Sequence, residues 1–426
     1  MYRGSRINPF LFEYFKDKEH QNPRLNYIII LSFIFLLIAL FSISRPIFAS
    51  CDTGQKNIIV NNQIHLQKNF EENIKNKYHK AYINFPTSGI AHIKKTTYIK
   101  SRPIKINIVE IDTKINDNLK IKPQIASTQL NSKKTVRKIA QKEGAIVAIN
   151  GGYFKPQTGV PLGALMIDRN VLTGDIYNRV GIAIFEDGDN IDFKMDYVKF
   201  DINAYTNKQS IKIDNINQPR MLSTYSLLYT NLWGKYSPIA PKNCYNMQIK
   251  GNKIIKISAN PLELSNGVVV LQAPKDIITK LAKNNKEIYI DIKLQQNLKN
   301  ANHIIAAGPY LVKDSQVFVD TKLQKFQAIA GKNPRSAIGF TNDGTLIIAT
   351  VDGREKASVG MTLNELALFM KNIGCDYAMN FDGGSSSALY VDGKITNSAH
   401  NKEGVAVSNA LVVLEDSKTE YQLSSL

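Results

Sequence analysis

The chain has 426 residues, enough to bury a sizeable core in one large or two ordinary domains. Its 54 basic and 36 acidic residues give a formal net charge of +18, which favours anionic surroundings such as a lipid surface or a phosphorylated glycan. Because no zinc-finger spacing, RNP-like motif or basic-aromatic stripe accompanies that charge, we expect no nucleic-acid partner.

The first predicted element is a membrane segment from Tyr27 to Ile43, an uncharged and strongly apolar run of 17 residues. Five basic residues precede it: Arg3, Arg6, Lys16, Lys18 and Arg24. They predict that residues 1–26 stay in the cytoplasm and that the remainder is exported. The long region before the apolar run favours an uncleaved signal-anchor over residues 27–43 rather than a signal peptide.

Two other fates of this segment remain open. Cleavage after Ala49 would release the exported part, and Cys51 would be lipidated if the loose lipobox Phe48-Ala49-Ser50-Cys51 is used. Cys244 and Cys375 lie in the folded region, where one disulfide could form in an oxidising compartment. We expect Cys375 to be a small buried hydrophobe, because it stands between a helix stop and a strand.

Residues 44–95 predict a stem, because the stretch from residue 52 is rich in Asn, Lys and Gln and has few apolar patterns. A mixed β-sheet domain of the α+β class, with a few packed helices, follows over residues 96–416, and residues 417–426 form a tail. Residues 190–300 or so are predicted as an insertion within that domain.

The first half of this domain alternates between strand and helix patterns. Its predicted strands are Ile104 to Ile111, Ala145 to Ile149, Gly163 to Ile167, Gly181 to Phe185, Val268 to Gln272 and Ile288 to Leu294. A helix is predicted over Val136 to Glu143, stopped by Gly144, and a second over Pro274 to Lys283.

A predicted hairpin brings several charged residues together near the C-terminus. Two apolar runs flank the turn Asn342-Asp343-Gly344. Arg335 lies at the entrance of this hairpin, and Asp352 and Arg354 lie at its exit.

A helix and a strand then deliver a carboxylate. Thr362 and Glu365 form a capping box that begins the helix, and Gly374 ends it. The strand Tyr377 to Phe381 follows, with Asp382 at its carboxyl end. A second hairpin turns at Asp392-Gly393.

The stretch Met379-Asn380-Phe381-Asp382-Gly383-Gly384-Ser385-Ser386-Ser387 carries the strongest chemical signal in the chain. Its two glycines allow close backbone approaches that a Cβ would forbid. Exposed N–H groups and hydroxyls in such a loop suit a phosphate or sugar oxygen. One loop therefore offers a charged catalyst beside a site for an anion.

Five motifs in this order resemble the phosphodiester glycosidase family over roughly residues 100–415. They are Ala148-Ile149-Asn150-Gly151-Gly152-Tyr153-Phe154, Ala307-Gly308-Pro309-Tyr310-Leu311-Val312, Arg335-Ser336-Ala337-Ile338-Gly339, Val351-Asp352-Gly353-Arg354 and Asn380-Phe381-Asp382-Gly383-Gly384-Ser385-Ser386. Two positions depart from the family pattern. Ser385 stands where a third glycine is common, and Gly404-Val405 stands where an Arg-Pro or Arg-Xaa pair is common before the last strand.

The resemblance implies an extracytoplasmic hydrolase, similar to an α-N-acetylglucosaminidase, that cleaves a sugar-1-phosphodiester of an envelope or exopolysaccharide-type glycan into free sugar and phosphomonoester. Asp382 would stabilise or attack the anomeric centre, and Asp352 would activate water. Arg335 would grip the phosphate with its guanidinium. The remaining site candidates bind phosphate or sugar: Gly383, Gly384, Ser385 and Ser386 in the loop, with Asn150, Gly151, Gly152 and Asn380 at strand ends.

Structural alternatives accompany these assignments. Asp382 and Asp352 could each be turn aspartates before glycine, and Arg335 could form a strand-edge salt bridge. Asn150 and Asn380 could hold a carboxylate in place instead of binding sugar. The sequence has no CxxC pair and no HExxH motif, so we expect no metal and no other cofactor; a divalent cation held by Asp352 or Asp382 is the open alternative.

Two other functions compete with the glycosidase. A non-catalytic envelope protein could bind glycans through the same pocket, and a metal-dependent phosphodiesterase would release sugar phosphate instead of free sugar. The expected partners are a sugar-phosphodiester or glycan and, through the N-terminal helix, a membrane. The sequence carries no signal for oligomeric state.

Overall fold

The computed structural model describes residues 62–397 and 403–416. The chain divides into two compact units, Met1–Leu66 and Gln67–Leu426. Only residues 62–66 of the first unit are described, and they are helical. The predicted segment 27–43, the sites at Ala49 and Cys51, and the tail 417–426 lie outside the described residues. Within the described ranges, no helix combines the length and the apolar character needed to span a membrane.

The described residues form a mixed fold, mostly strands with four α-helices, which confirms the α+β class. The helices are α1 (62–77), α2 (Val136–Glu143), α3 (Lys275–Ala282) and α4 (Leu363–Asn372). The strands of the first half are β1 (Tyr82–Thr87), β2 (Ile90–Ile99), β3 (Arg102–Ile111), β4 (Leu119–Ile125), β5 (Val147–Asn150), β6 (Leu165–Ile167), β7 (Asn170–Thr173), β8 (Val180–Asp187), β9 (Asn190–Tyr197), β10 (Phe200–Tyr205), β11 (Ser210–Ile213), β12 (Asn215–Ile216) and β13 (Leu227–Tyr229). Those of the second half are β14 (Cys244–Lys250), β15 (Lys253–Ser258), β16 (Val268–Pro274), β17 (Tyr289–Leu294), β18 (His303–Ala306), β19 (Tyr310–Lys313), β20 (Gln316–Val317), β21 (Arg335–Phe340), β22 (Leu346–Val351), β23 (Tyr377–Asn380), β24 (Leu389–Val391), β25 (Lys394–Ile395) and β26 (Asn409–Glu415).

An eight-stranded sheet with the order β1-β2-β3-β22-β21-β23-β19-β20 is the largest layer. One of its faces packs on α1 and α4, and the other packs on two five-stranded sheets, β25-β24-β5-β26-β4 and β7-β6-β18-β8-β9. Helix α2 covers the outer side of β5, β24 and β26. These layers bury long continuous apolar strands, as sheets covered on both faces require.

Helix α4 forms where the sequence predicts it. The Thr362 side chain accepts a hydrogen bond from the Glu365 N–H, and the Glu365 carboxylate accepts one from the Thr362 N–H, so the predicted capping box is present. Leu366, Ala367 and Met370 are fully buried against the sheet. The helix thereby places the next strand, β23, beside β21.

Much of the predicted stem is instead part of the folded unit. Strands β1 and β2 extend the large sheet, and Phe70, Ile74 and Tyr78 are buried in its core. The Lys77 ammonium also lies 2.6 Å from the buried Glu110 carboxylate. The apolar pattern is diluted here because β1 is an edge strand and the outer half of β2 is exposed. The edge of the folded unit therefore does not coincide with the predicted boundary at residue 96.

Within residues 190–300, strands β10 to β17 form two sheets of their own, β11-β10-β17 and β12-β13-β16-β14-β15, whereas β9 belongs to the sheet β7-β6-β18-β8-β9. The strand and helix predicted around Val268 and Pro274 are confirmed as β16 and α3. Cys244 and Cys375 are both buried and free, so the structure contains the expected buried Cys375 and no disulfide between the two.

Candidate active site

The loop after β23 is held at the junction of two sheets. Phe381 donates its N–H to the Ser336 carbonyl at 2.9 Å, and Gly384 donates to the Pro334 carbonyl at 2.9 Å, so the loop follows β21 of the large sheet. Asp382 donates its N–H to the Gly151 carbonyl at 3.1 Å, just beyond β5 of a five-stranded sheet. The position of the carboxylate is thus set by two sheets at once.

The Asn150 side chain holds this junction together by hydrogen bonds. Its side-chain N–H group donates to the Asp382 carbonyl at 2.7 Å. Its side-chain oxygen accepts from the Ser336 hydroxyl at 2.7 Å and from the Ala388 N–H at 3.1 Å. Because the residue is fully buried, it positions the Asp382 backbone rather than a sugar.

A cavity of about 130 Å³ opens beside the loop. The described residues that line it are Tyr153, Ile329, Asn333, Arg335, Arg354, Asp382, Gly383 and Gly384. Asp382 supplies the only carboxylate among them, and two arginines line the same small space. A carboxylate and cations around one cavity, with glycine backbone beside them, suit a substrate that is cationic at one atom in the transition state and anionic next to it.

The Asp382 carboxyl has a pKa raised from 3.8 to about 6, chiefly because burial disfavours the charged form. Hydrogen bonding from the Ser386 side chain and the Gly383 N–H, together with the charge of Arg179, opposes that rise. The carboxyl therefore titrates close to neutral pH, where a group can serve as a base or nucleophile and still exchange its proton.

Tyr153 forms one wall of the cavity. Its ring lies 4.9 Å from the Phe326 ring, and its hydroxyl donates to the Gly308 carbonyl at 2.9 Å. Burial and the nearby Asp382 charge raise the pKa of its hydroxyl. The hydroxyl also accepts a hydrogen bond from the Asn380 side-chain N–H at 2.9 Å, so Asn380 helps to position the Tyr153 ring.

Arg179 is a site residue that the sequence analysis missed. Its guanidinium lies 4.8 Å from the ring centroids of both Tyr153 and Phe326, and it interacts electrostatically with Asp382. Nη1 donates to the Leu162 carbonyl at 2.8 Å, and the buried Nε lacks a hydrogen-bond partner in the described structure. The one available signal was weak: an arginine directly before the apolar strand β8.

Arg335 is placed differently from the expected phosphate grip. It is 2% exposed, and its Nε donates to the Met361 carbonyl at 2.9 Å. Nη2 donates to the carbonyls of Ile329, at 2.7 Å, and Gly331. Burial lowers the pKa of this guanidinium to about 10. Arg335 lines the cavity, but three backbone carbonyls engage much of its donor capacity.

Replacing Arg335 with lysine should therefore destabilise the fold, since three backbone carbonyls lose a shared planar donor. We expect the free energy of unfolding in urea to fall by about 2–4 kcal/mol. Arg354→Ala is the matched control, because it removes an exposed guanidinium from the same cavity. Equal urea midpoints for the two variants would contradict this structural role.

Arg354 is the exposed cation of the cavity. Its Nη2 donates to the Asn333 side-chain oxygen at 2.9 Å. Gly384 has a φ of +62°, which favours glycine, and a Cβ there would lie 3.1 Å from the same Nη2. The guanidinium thus lies against the glycine backbone at the rim, with donors left for an incoming anion.

The predicted glycines after β5 contact protein, whereas the predicted serines of the loop lie beside the cavity or next to Asp382. Gly151 and Gly152 pack against Asn409, whose side-chain oxygen accepts the Gly152 N–H at 2.9 Å, so protein fills the space predicted for a ligand. Ser385 is exposed beside the cavity, in the 3₁₀ turn Gly384–Ser386, and Ser386 is buried next to Asp382.

Asp352 does not appear among the described residues that line the cavity. It is 3% exposed, its N–H donates to the Lys105 carbonyl at 3.0 Å, and its carbonyl accepts from the Ser358 hydroxyl at 2.6 Å. In the described ranges, no group of three or more His, Cys, Asp and Glu side chains is arranged to hold a metal ion.

Comparison with known proteins identifies a family that part of this chain resembles. The family model for phosphodiester glycosidase matches residues 242–414, which confirms the resemblance found in the sequence. The matched range contains Arg335, Arg354 and Asp382, whereas Tyr153 and Arg179 precede it. It begins within the region 190–300 that was predicted as an insertion.

The similarities to individual proteins are partial. The SPbeta prophage-derived uncharacterized protein YomE of Bacillus subtilis is 36% identical over 129 residues, which are 30% of this chain and 19% of that protein. A hypothetical protein from Synechocystis has a TM-score of 0.71 at 20% identity, covering 78% of this chain and 63% of that one. A putative exported protein from Burkholderia pseudomallei has a TM-score of 0.64 at 19% identity, covering 74% of each chain. These two structures share the fold.

Proposed function

Residues 242–414 carry a phosphodiester glycosidase domain, and from this premise we propose that the protein hydrolyses a sugar-1-phosphodiester to free sugar and a phosphomonoester. The observation that carries the proposal is the cavity that the Asp382 carboxylate, with its raised pKa, lines together with Arg354, Gly383 and Gly384. A carboxylate for the sugar and a cation for the phosphate are the two charges that this reaction requires.

The proposed reaction breaks the bond between the anomeric carbon and the phosphate oxygen. The bonding electron pair leaves with the phosphate, and water supplies a hydroxyl to the carbon and a proton to the phosphomonoester. Ionised Asp382 stabilises or attacks the anomeric centre as positive charge develops there. A phosphomonoester is a good leaving group, so donors to its oxygens serve where a strong general acid would otherwise be needed.

Arg354 and Ser385 are assigned to the phosphate in this proposal. Arg354 is exposed at the cavity rim, and its guanidinium can grip two phosphate oxygens. Ser385 is exposed in the adjoining 3₁₀ turn, where its hydroxyl is accessible to the same group. Arg335 stabilises the wall of the cavity through its hydrogen bonds to backbone carbonyls.

Arg354→Ala should raise KM for the diester about 10- to 100-fold and change kcat less, because a charge-assisted contact to phosphate is worth about 1.5–3 kcal/mol. Lys356→Ala is the matched control: it removes an exposed cation two residues away that does not line the cavity. Steady-state kinetics on both variants decide the point. The assignment fails if both variants keep the parental KM.

The proposal extends to location and substrate class. An extracytoplasmic, membrane-anchored enzyme is supported by the apolar run from Tyr27 to Ile43 and the basic residues before it. Envelope or exopolysaccharide-type glycans that carry N-acetylglucosamine-1-phosphodiesters are the proposed substrates. Protease added to intact cells should digest the part beyond residue 43, and complete protection would contradict this location.

The activity is tested by incubating the full-length protein with UDP-N-acetylglucosamine and a simple N-acetylglucosamine-1-phosphodiester, with and without EDTA. Mass spectrometry should detect free sugar and the matching phosphomonoester, unchanged by chelation and lost in Asp382→Asn. Sugar phosphate that disappears with EDTA would indicate a metal phosphodiesterase instead. Binding without any turnover would indicate the glycan-binding alternative.

A further inference from the structure

A second cleft, of about 370 Å³, lies away from the catalytic cavity. It is bounded by β9, by the ends of β21 and β23, and by the turn after β21. Its lining residues are Asp192, Phe193, Lys194, Met195, Asp196, Asn297, Phe340, Thr341, Asn342, Gly344 and Tyr377. Its volume is within the range of small-ligand sites.

The cleft and the catalytic cavity occupy opposite ends of the same two strands. Strand β21 begins with Arg335, which lines the cavity, and ends with Phe340, which lines the cleft. Strand β23 begins with Tyr377 in the cleft and leads to Asp382 in the cavity. Five residue steps along β21 correspond to roughly 17 Å, so the two sites are separate but close.

Three aromatic rings line one side of the cleft. Phe340 and Tyr377 stack with centroids 5.2 Å apart and an interplanar angle of 18°. Phe193 lies 5.9 Å from Phe340. The Tyr377 hydroxyl donates to the Asp314 carboxylate, which holds the ring in place. Phe193 and Phe340 are buried beneath the cleft, so the partly exposed Tyr377 ring supplies its accessible aromatic surface. A ring held in place in this way binds a flat apolar face with little loss of side-chain entropy.

Hydrogen-bonding groups line the other side. The Asp196 carboxylate accepts from the Asn297 side-chain N–H at 2.6 Å, and both residues line the cleft. Asp192 and Asn342 are exposed there, so their polar atoms are accessible to a ligand. Carboxylates and amides beside an aromatic surface match a sugar ring, which has an apolar face of C–H groups and a rim of hydroxyls.

The charge of the cleft selects among glycans. Two carboxylates, Asp192 and Asp196, line it against a single cation, Lys194, whose ammonium lies over the Phe185 ring at 5.3 Å. This local negative balance contrasts with the +18 charge of the whole chain. It disfavours a polyanion by like-charge repulsion, whereas an uncharged sugar meets no such cost.

We propose that this cleft is a non-catalytic binding site for uncharged oligosaccharides. The inference rests on the proposed function in one respect, since it supposes that the bound glycan belongs to the same material that carries the diester. Binding there would hold such a glycan near the catalytic cavity and raise the effective concentration of its cleavable groups.

Calorimetry on the full-length Asp382→Asn protein tests the cleft without turnover. The probes are chitotetraose, cellotetraose and maltotetraose, with a polyuronate oligomer as the charged contrast. We expect at least one neutral tetrasaccharide to bind and the polyuronate to bind at least tenfold more weakly. Adding Asp192→Ala and Asn297→Ala together should weaken neutral binding at least tenfold, and Tyr377→Ala should do the same.

Asn190→Ala is the matched control, because Asn190 is exposed on β9 but does not line the cleft. Equal urea midpoints would show that the exposed double variant is folded, even if Tyr377→Ala is not. The proposal is overturned if the double variant binds as tightly as the control, or if no neutral tetrasaccharide binds at millimolar concentration. It is also overturned if the polyuronate binds best.

This test separates the inference from the proposed function. If the unmutated protein cleaves the small diester but binds no tetrasaccharide, the cleft proposal fails and the hydrolase stands. If tetrasaccharide binding depends on the cleft residues but no diester is cleaved, the hydrolase fails and the cleft stands.

Discussion

Asp382→Asn should lower kcat/KM for a sugar-1-phosphodiester by about 1,000-fold or more, because it removes the only carboxylate among the described residues that line the cavity. Asparagine keeps the shape of the side chain, so the loop contacts through the Asp382 N–H and carbonyl should persist. The measurement is steady-state kinetics with product identification. Asp376→Asn, at the opposite end of β23, is the matched control.

The same carboxyl sets the expected pH dependence. If ionised Asp382 does the chemistry, kcat/KM of the unmutated enzyme should rise with pH and level off above an inflection near its pKa of about 6. Above that pH the carboxylate form dominates, and below it the neutral form accumulates. A profile that falls through pH 6 would instead make Asp382 a proton donor and would reverse its assigned role.

Ionisation of Asp382 should make the free energy of unfolding fall with rising pH, whereas kcat/KM rises. A carboxyl whose pKa is raised from 3.8 to about 6 binds its proton more tightly in the folded state. The free energy of unfolding therefore falls as pH rises from about 4 to about 6, by up to about 3 kcal/mol from this group. The Asp382→Asn variant has no carboxyl to ionise, so its free energy of unfolding does not fall in this way. Its stability relative to the unmutated protein should therefore be higher at pH 7.5 than at pH 4. An equal difference at both pH values would show that the pKa is not raised.

Replacing Arg179 with methionine should change both the pH profile and the rate. The guanidinium lowers the pKa of Asp382 by its charge, so its removal should move the inflection of the pH profile upward. Tyr153 and Phe326 also lose the cation that lies beside both of their rings. We expect kcat/KM at pH 6.5 to fall about tenfold, since a desolvated cation–π contact alone is worth up to about 2 kcal/mol.

Two further variants separate charge from packing at this position. Arg179→Lys keeps a cation and should leave the inflection close to that of the unmutated enzyme. Lys325→Met removes a cation that lies 4.8 Å from the Tyr177 ring and should leave the profile unchanged. If Arg179→Met has the parental inflection, Arg179 is part of the packing alone and does not tune Asp382.

Local patterns predicted many of the elements in the second half of the chain. The capping box at Thr362 and the hairpin around Asp343 depend on residues that are neighbours in sequence, so the structure contains both nearly as predicted. The edge strand β1 and its neighbour β2 were missed because side chains of similar exposure follow each other in runs along them, so neither strand shows the apolar alternation on which the prediction depends.

Arg335 shows where local reasoning failed for the site. Its place at the start of a strand next to a turn suggested an accessible cation. Its surroundings are the carbonyls of Ile329, Gly331 and Met361, and the last of these lies 26 positions further along the chain. Nothing in the residues around position 335 indicates that those carbonyls converge on it, so only the folded chain could show that Arg354 is the exposed cation.

By itself the sequence determined the Asp382-Gly383-Gly384 loop, the strand that delivers it and the family to which residues 242–414 are similar, because strand periodicity and glycine chemistry act over a few residues. The tertiary structure decided which groups surround that loop. Asn150 lies 232 positions from Asp382 and holds its carbonyl, and Arg179 lies far from it in sequence yet acts on its pKa. Such partners meet only when separate sheets pack together, and burial, which raises the pKa of Asp382, exists only once they have done so.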